Sequence, residues 1–224
     1  MGAAIGQSLP VAVGVLISPL PIVAVVLMLV SGRAKANAFS FLVGWFLAVG
    51  AVTLVVALLA GAAADGEDTG PPLWAAILKI VLGLALLLLA VKQWRGRPRD
   101  GVEPPAPKWM AAIDGFTPPK AAGLAVLLGA VNPKNLLLVV SGGVAIATAA
   151  GDDTNAKVVA AIVFALVASV GVATPVFIYL FTGDRAAAML DGLKTWMIRN
   201  NAVIMAVLLL VLGAKMLGDG IANL

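Results

Sequence analysis

Asn132-Pro133-Lys134-Asn135 puts a cap, a helix breaker, a full positive charge and a second amide into a long apolar run. Ser18-Pro19, followed by Pro21, does the same in an earlier run without the charge. Ser and Asn are favoured N-cap residues, and Pro is favoured at the first helical position. Each pair therefore predicts a helix that begins inside an apolar segment. A helix N-terminus carries unpaired N–H groups and about half a unit of positive charge, and such ends bind anions. The chemistry available to these residues is the holding of a carboxylate, phosphate or sulfate. Lys134 is the candidate ion-pair partner. Ser18, Asn132, Asn135 and Thr174 are candidate hydrogen-bonding residues, and Pro19, Pro21 and Pro133 set the helix breaks. A bare metal cation is disfavoured, because no Asp or Glu falls in the interior of a predicted span. Two plainer readings stand beside this one: Lys134 snorkelling to an interface, and proline breaks serving helix packing alone. Pro175 reads as a packing kink, Ser141-Gly142-Gly143 as a close-packing stripe, and Lys79 and Lys215 as interfacial.

Other chemistries are excluded by composition. The chain has no His and no Cys, so the commonest general base, metal ligand and thiolate are missing. Neither a catalytic metal site nor the usual acid–base pair can be assembled. An enzyme is not expected, nor a metal, a cofactor or a nucleic-acid partner.

The elements that must position these residues are membrane spans. Of the 224 residues, 62% are hydrophobic and only 12% charged, against about 25% charged in soluble domains. Mean hydropathy is +1.07. Apolar runs cover roughly 3–30, 38–63, 73–94, 119–149, 156–182 and 200–219; about 20 residues suffice to cross the hydrocarbon. The first and fourth runs are the longest, as broken helices would be. Loop one carries Arg33 and Lys35 without an acid, whereas loop two carries Asp65, Glu67 and Asp68 without a base. Loops three and five are again basic, and loop four holds Asp152 and Asp153. Basic loops mark the cytoplasmic side, which predicts loops one, three and five inside and both termini outside. The N-terminus lacks the basic region of a signal peptide and reads as the start of the first span. The basic residues of loop three signal topology or, alternatively, meet anionic headgroups.

Loop three divides the chain. Residues 1–94 form one three-helix unit, 95–118 a Pro- and Gly-rich linker, and 119–224 a second three-helix unit. Trp109, Ile113 and Phe116 predict a short interfacial helix in the linker, and Met189, Leu193 and Trp196 repeat that spacing in loop five. An odd number of spans per unit makes duplicated halves inverted across the membrane. Three short matches support a duplication. Pro19 and Pro133 are 114 apart, Thr53 ("GAVT") and Thr174 ("GVAT") 121, and Lys92 ("LLLLAVK") and Lys215 ("LLVLGAK") 123. The expected fold is an all-α integral membrane protein. It has six transmembrane helices in two inverted three-helix repeats, with helices 1 and 4 broken near the midplane.

"GAVNPKNLLLVVSGGVAIA" after "FTPPKAAG", with "GVLISPLPIVAVVLML" near the start, resembles the GAP family, the glycopeptidolipid- and sulfolipid-addressing proteins of the lysine-exporter (LysE) superfamily. The resemblance covers nearly the whole chain, and the "NPKN" and "SPLP" blocks are its most specific parts. It implies an actinobacterial plasma-membrane transporter, a flippase or exporter working by alternating access on an anionic envelope lipid, glycolipid or lipid precursor. Ser18, Pro19, Pro21, Asn132, Pro133 and Lys134 carry over as site residues. The absence of an intramembrane acid departs from a proton- or cation-coupled exporter. The alternatives are an exporter of an amino acid or other small carboxylate-bearing solute, and a non-transporting accessory subunit of envelope-lipid export machinery. Beyond membrane lipids and the anionic substrate, a homodimer is permitted by Gly- and Ala-rich faces.

Overall fold

A computed structural model describes residues 1–62, 73–97, 110 and 112–224. Asp65, Glu67 and Asp68 of loop two lie outside the described residues, as does most of the linker, Trp109 included; of the predicted interfacial helix, Ile113 is buried in a three-residue 3-10 turn, Ile113–Gly115, and Phe116 is extended. The helices are α1 (Gly2–Leu16), α2 (Pro19–Leu29), α3 (Ala34–Ala62) and α4 (Leu73–Arg95) in the first half. The second half contains α5 (Pro118–Val126), α6 (Pro133–Ala150), α7 (Thr154–Thr182) and α8 (Ala186–Ile221). No strand occurs among the described residues.

The protein is a multi-pass membrane protein. Helices α3, α4, α6, α7 and α8 are each long and apolar enough to cross a bilayer, and α1 with α2 makes a sixth span bent by 52° at its break. Large apolar side chains such as Leu47, Leu88, Leu166 and Phe181 are exposed on the outside of the bundle, where water would penalise them and lipid does not. The ends of the spans follow local chemistry. The Asp153 carboxylate accepts from the Ala156 N–H at 2.9 Å and caps α7. Gly151 (φ 54°) and Gly183 (φ 59°) end α6 and α7 in the left-handed region that favours glycine.

Two expectations change. The sixth span is not 200–219: α8 runs unbroken over 36 residues from Ala186 to Ile221. Met189, Leu193 and Trp196 therefore belong to its first turns and form no separate interfacial helix. The segment has no proline to stop it. Asp219 consequently sits in the last turn of a helix. Pro175 lies inside a continuous α7, as a packing kink allows.

Small residues set the packing. Helices α4 and α8 lie antiparallel with Gly83 and Gly213 face to face: a β-carbon on Gly213 would stand 3.0 Å from the Gly83 carbonyl oxygen. At the centre α3 meets α7, where the Trp45 indole N–H donates to the Ala168 carbonyl at 3.3 Å. The Phe164 ring fills the space over Gly142, and the Thr53 carbonyl and Val56 press on Gly143. The stripe at Ser141–Gly143 is thus a buried contact surface. Helix α1 packs on α6 and α7, α5 on α3, and α2 on α3, α7 and α8.

Candidate functional site

The fourth-span break forms in steps. After Val126 the helix widens into a π-helical stretch, Leu127–Val131. The Asn132 N–H donates to the Leu127 carbonyl at 2.7 Å and closes that turn. Asn132 then leaves helical geometry (φ −59°, ψ 120°) and its side chain accepts from the Lys134 N–H at 3.1 Å. It is an N-cap, with Pro133 opening α6. The side-chain amide of buried Asn135 donates to the Leu128 carbonyl at 2.8 Å, supplying the partner that the distorted turn fails to provide. The Asn135 side-chain oxygen is buried with no partner among the described residues. Gly129 brings the turn onto α3, where a β-carbon would stand 3.3 Å from the Trp45 ring. An Asn132→Ala change removes the acceptor of the Lys134 N–H, and loss of a cap costs about 1 kcal/mol. Amide exchange at Lys134 should then accelerate about fivefold, the equilibrium equivalent of about 1 kcal/mol. Unchanged exchange would refute the cap.

The first-span break is built differently. Ser18 has nearly the backbone of Asn132 (φ −59°, ψ 113°) but makes no side-chain cap bond. Its N–H donates to the Val15 carbonyl at 3.1 Å. Pro19 and Pro21 carry no N–H, so the first turn of α2 offers only that of Leu20. At α6 the Lys134 N–H is committed to Asn132 and Pro133 has none, which leaves that of Asn135. The two ends therefore present fewer donors than a generic helix N-terminus, and most of the attraction for an anion falls to the Lys134 ammonium. The Leu16 carbonyl, which lies just before the break, packs onto α7 at Gly171, where a β-carbon would come within 2.1 Å of its oxygen.

The structure divides the candidate residues. Ser18, Pro19, Pro21 and Asn135 are buried; Asn132 and Lys134 are half-buried and Pro133 is exposed. The two breaks are linked because α2 touches the Leu127–Val131 turn. Lys134 follows the Leu127–Val131 turn, in which Leu127 and Val131 are 55% and 57% exposed. Its ammonium has no hydrogen-bond or ion-pair partner among the described residues, and Lys92 of α4 is close enough to act on it electrostatically. Among the described residues the local field is therefore positive, with no carboxylate paired to it. Thr174 does not face into the bundle. It is exposed on the face of α7 that carries Val170 and Phe177, and its hydroxyl donates to the Val170 carbonyl at 2.7 Å. Its counterpart Thr53 is fully buried, with a hydroxyl lacking a partner among the described residues. The "GAVT"/"GVAT" match pairs the two threonines as repeat counterparts, and burial separates them. Lys92, Trp45 and Gly171 also went unassigned from sequence, since their roles depend on which helix each one faces.

A family model described as Sap, sulfolipid-1-addressing protein, matches residues 9–222. No curated protein and no solved structure matches the chain.

Proposed function

The chain belongs to the sulfolipid-1-addressing protein family, and from that premise we propose that it moves an anionic envelope lipid or lipid precursor across the plasma membrane. The observation that carries this reading is the setting of Lys134. An ammonium with no counter-charge among the described residues stands at an interrupted helix, just after a turn whose Leu127 and Val131 face outward. A sulfate- or phosphate-bearing headgroup can reach it from the side while the acyl chains stay in the bilayer. That setting suits a small aqueous solute poorly, because such a ligand would need an enclosed polar cavity.

The anion offsets the desolvation of Lys134, and Asn135 and the dipole of α6 orient it. Transport then follows from rocking of one half against the other. The packing supports two inverted halves. The contact of α1 with α7 has its equivalent in α5 with α3, α2 with α8 in α6 with α4, and α2 with α3 in α6 with α7. Leu86 and Leu209, both fully buried in α4 and α8, are separated by the same 123 residues as Lys92 and Lys215. This reading places the protein in the lysine-exporter superfamily, with both termini outside and the basic loops in the cytoplasm.

The test uses the purified full chain in phosphatidylcholine vesicles carrying a tail-labelled sulfated glycolipid. The protein should expose inner-leaflet label to an external membrane-impermeant quencher, and native mass spectrometry should find an anionic lipid retained on it. Full protection of the inner leaflet in protein-bearing vesicles would leave only an accessory role.

A further inference from the structure

A second cationic place lies on the same face of α6. Lys79 of α4 is only 6% exposed and lines a cavity of about 20 Å³ with Gln7 of α1, Ser141 of α6, and Lys215 and Asp219 of α8. Lys79 makes no hydrogen bond or ion pair among the described residues, while Lys215 and Asp219 are paired, Nζ to Oδ2, at 2.5 Å. Among the described residues, two ammoniums and one carboxylate give the cavity one net positive charge. The spacing marks Lys79 and Lys215 only as lysines near span ends; the antiparallel seam of α4 and α8 brings them into one cavity and adds the acid. Ser141 is seven residues beyond Lys134, roughly 10 Å along the helix and on the same face. Its hydroxyl donates to the Leu137 carbonyl at 2.6 Å, so binding there falls to the lysines and the Gln7 amide.

We propose that this cavity is a second anion-binding station, specific for a tetrahedral sulfate or phosphate ester, in which the Asp219 carboxylate stands in for the ligand when none is bound. A space of this size takes about one water-sized group. One ester oxygen therefore enters beside Lys79 while the rest of the group stays at the opening. The Lys215 and Asp219 side chains are 40% and 45% exposed, and a pair so solvated opens readily. The arriving anion takes the carboxylate's place, and Asp219 returns when it leaves. As an exit station roughly 10 Å from Lys134 along α6, the cavity rests on the transport reading above; as a binding site it does not.

The experiment titrates inorganic sulfate, against sodium chloride of equal ionic strength, into the detergent-solubilised full chain. Phosphatidylcholine nanodiscs containing a sulfated glycolipid form a parallel arm. Lys79→Gln should weaken binding at least tenfold, Lys79→Arg should retain it, and Asp219→Asn should tighten it several-fold. Each variant is checked for an unchanged unfolding temperature. Binding of sulfate alone identifies a free oxyanion as the ligand, and binding in the lipid arm alone identifies a headgroup; either supports the site. Absence of binding in both arms overturns it, as does equal affinity in wild type, Lys79→Gln and Asp219→Asn. Lys134→Gln separates the two proposals. If Lys79-dependent binding survives in that variant while lipid movement is normal, the transport role of Lys134 falls and the station stands.

Discussion

Lys134→Glu should abolish lipid movement in vesicles while the bundle still inserts and folds. The reasoning is electrostatic. Lys134 is half-buried at the start of α6 with no counter-charge among the described residues, so its ammonium is the main attraction for an anion in the break. Removing one partner from a buried charge pair costs about 3–5 kcal/mol. Each 1.4 kcal/mol is tenfold, so headgroup affinity should fall by about 100-fold or more. The glutamate variant goes further than alanine, because it replaces attraction with repulsion. The fold should survive, since the Lys134 side chain makes no hydrogen bond or ion pair among the described residues that closes the break. That task belongs to Asn132, Pro133 and the Asn135 bond to Leu128. Lipid movement and retained lipid are both measured, with circular dichroism as the folding control. Wild-type rates in Lys134→Glu would remove this residue from the site.

Gly171→Ala should damage the fold itself. The Leu16 carbonyl is left without the N–H of a continuing helix and lies so close to α7 that a β-carbon at Gly171 would sit 2.1 Å from its oxygen. The obstacle is backbone, so no rotamer relieves it. Overpacking of this kind costs about 1–3 kcal/mol. At about 2–4 °C per kcal/mol for a chain of this size, the unfolding temperature should drop by several degrees, and Gly171→Leu should fail to accumulate as folded protein. Gly123→Ala is the matched control. That helical glycine has nothing within 4 Å of an added β-carbon, and the change should be neutral or stabilising by about 1 kcal/mol. Equal unfolding temperatures for Gly171→Ala and wild type would show that the first-span break is not held by this contact.

Much of the architecture is legible in local chemistry. Proline lacks an N–H whatever surrounds it, so Pro19 and Pro133 point to breaks, although Pro10 and Pro175 lie inside continuous helices, and Asn132 caps the second break. The apolar runs and charged loops place five of the spans close to their observed limits, because the hydrocarbon demands length and apolarity without regard to partners. The sixth was misjudged because hydropathy marks where a helix is apolar, and α8 remains helical beyond that region. The donors at the breaks were overcounted for a related reason: general properties of helix ends were applied to two ends whose prolines remove the very groups in question.

The sequence by itself determined that the chain crosses a membrane, that two spans restart within apolar segments, and that the restart in the fourth carries a full positive charge. These follow from residue type and order alone. Only the tertiary structure decided which way each helix is turned. Thr174 was a candidate by its motif, yet the rotation of α7, set by Gly171 against Leu16 and by Ala168 against Trp45, turns it outward among lipid-facing residues. Lys79, Lys215 and Asp219 are far apart or unremarkable along the chain, and they share a cavity because α4 and α8 meet glycine to glycine. A side chain's direction depends on the helix that packs beside it, and that neighbour is chosen by close fit between segments distant in sequence.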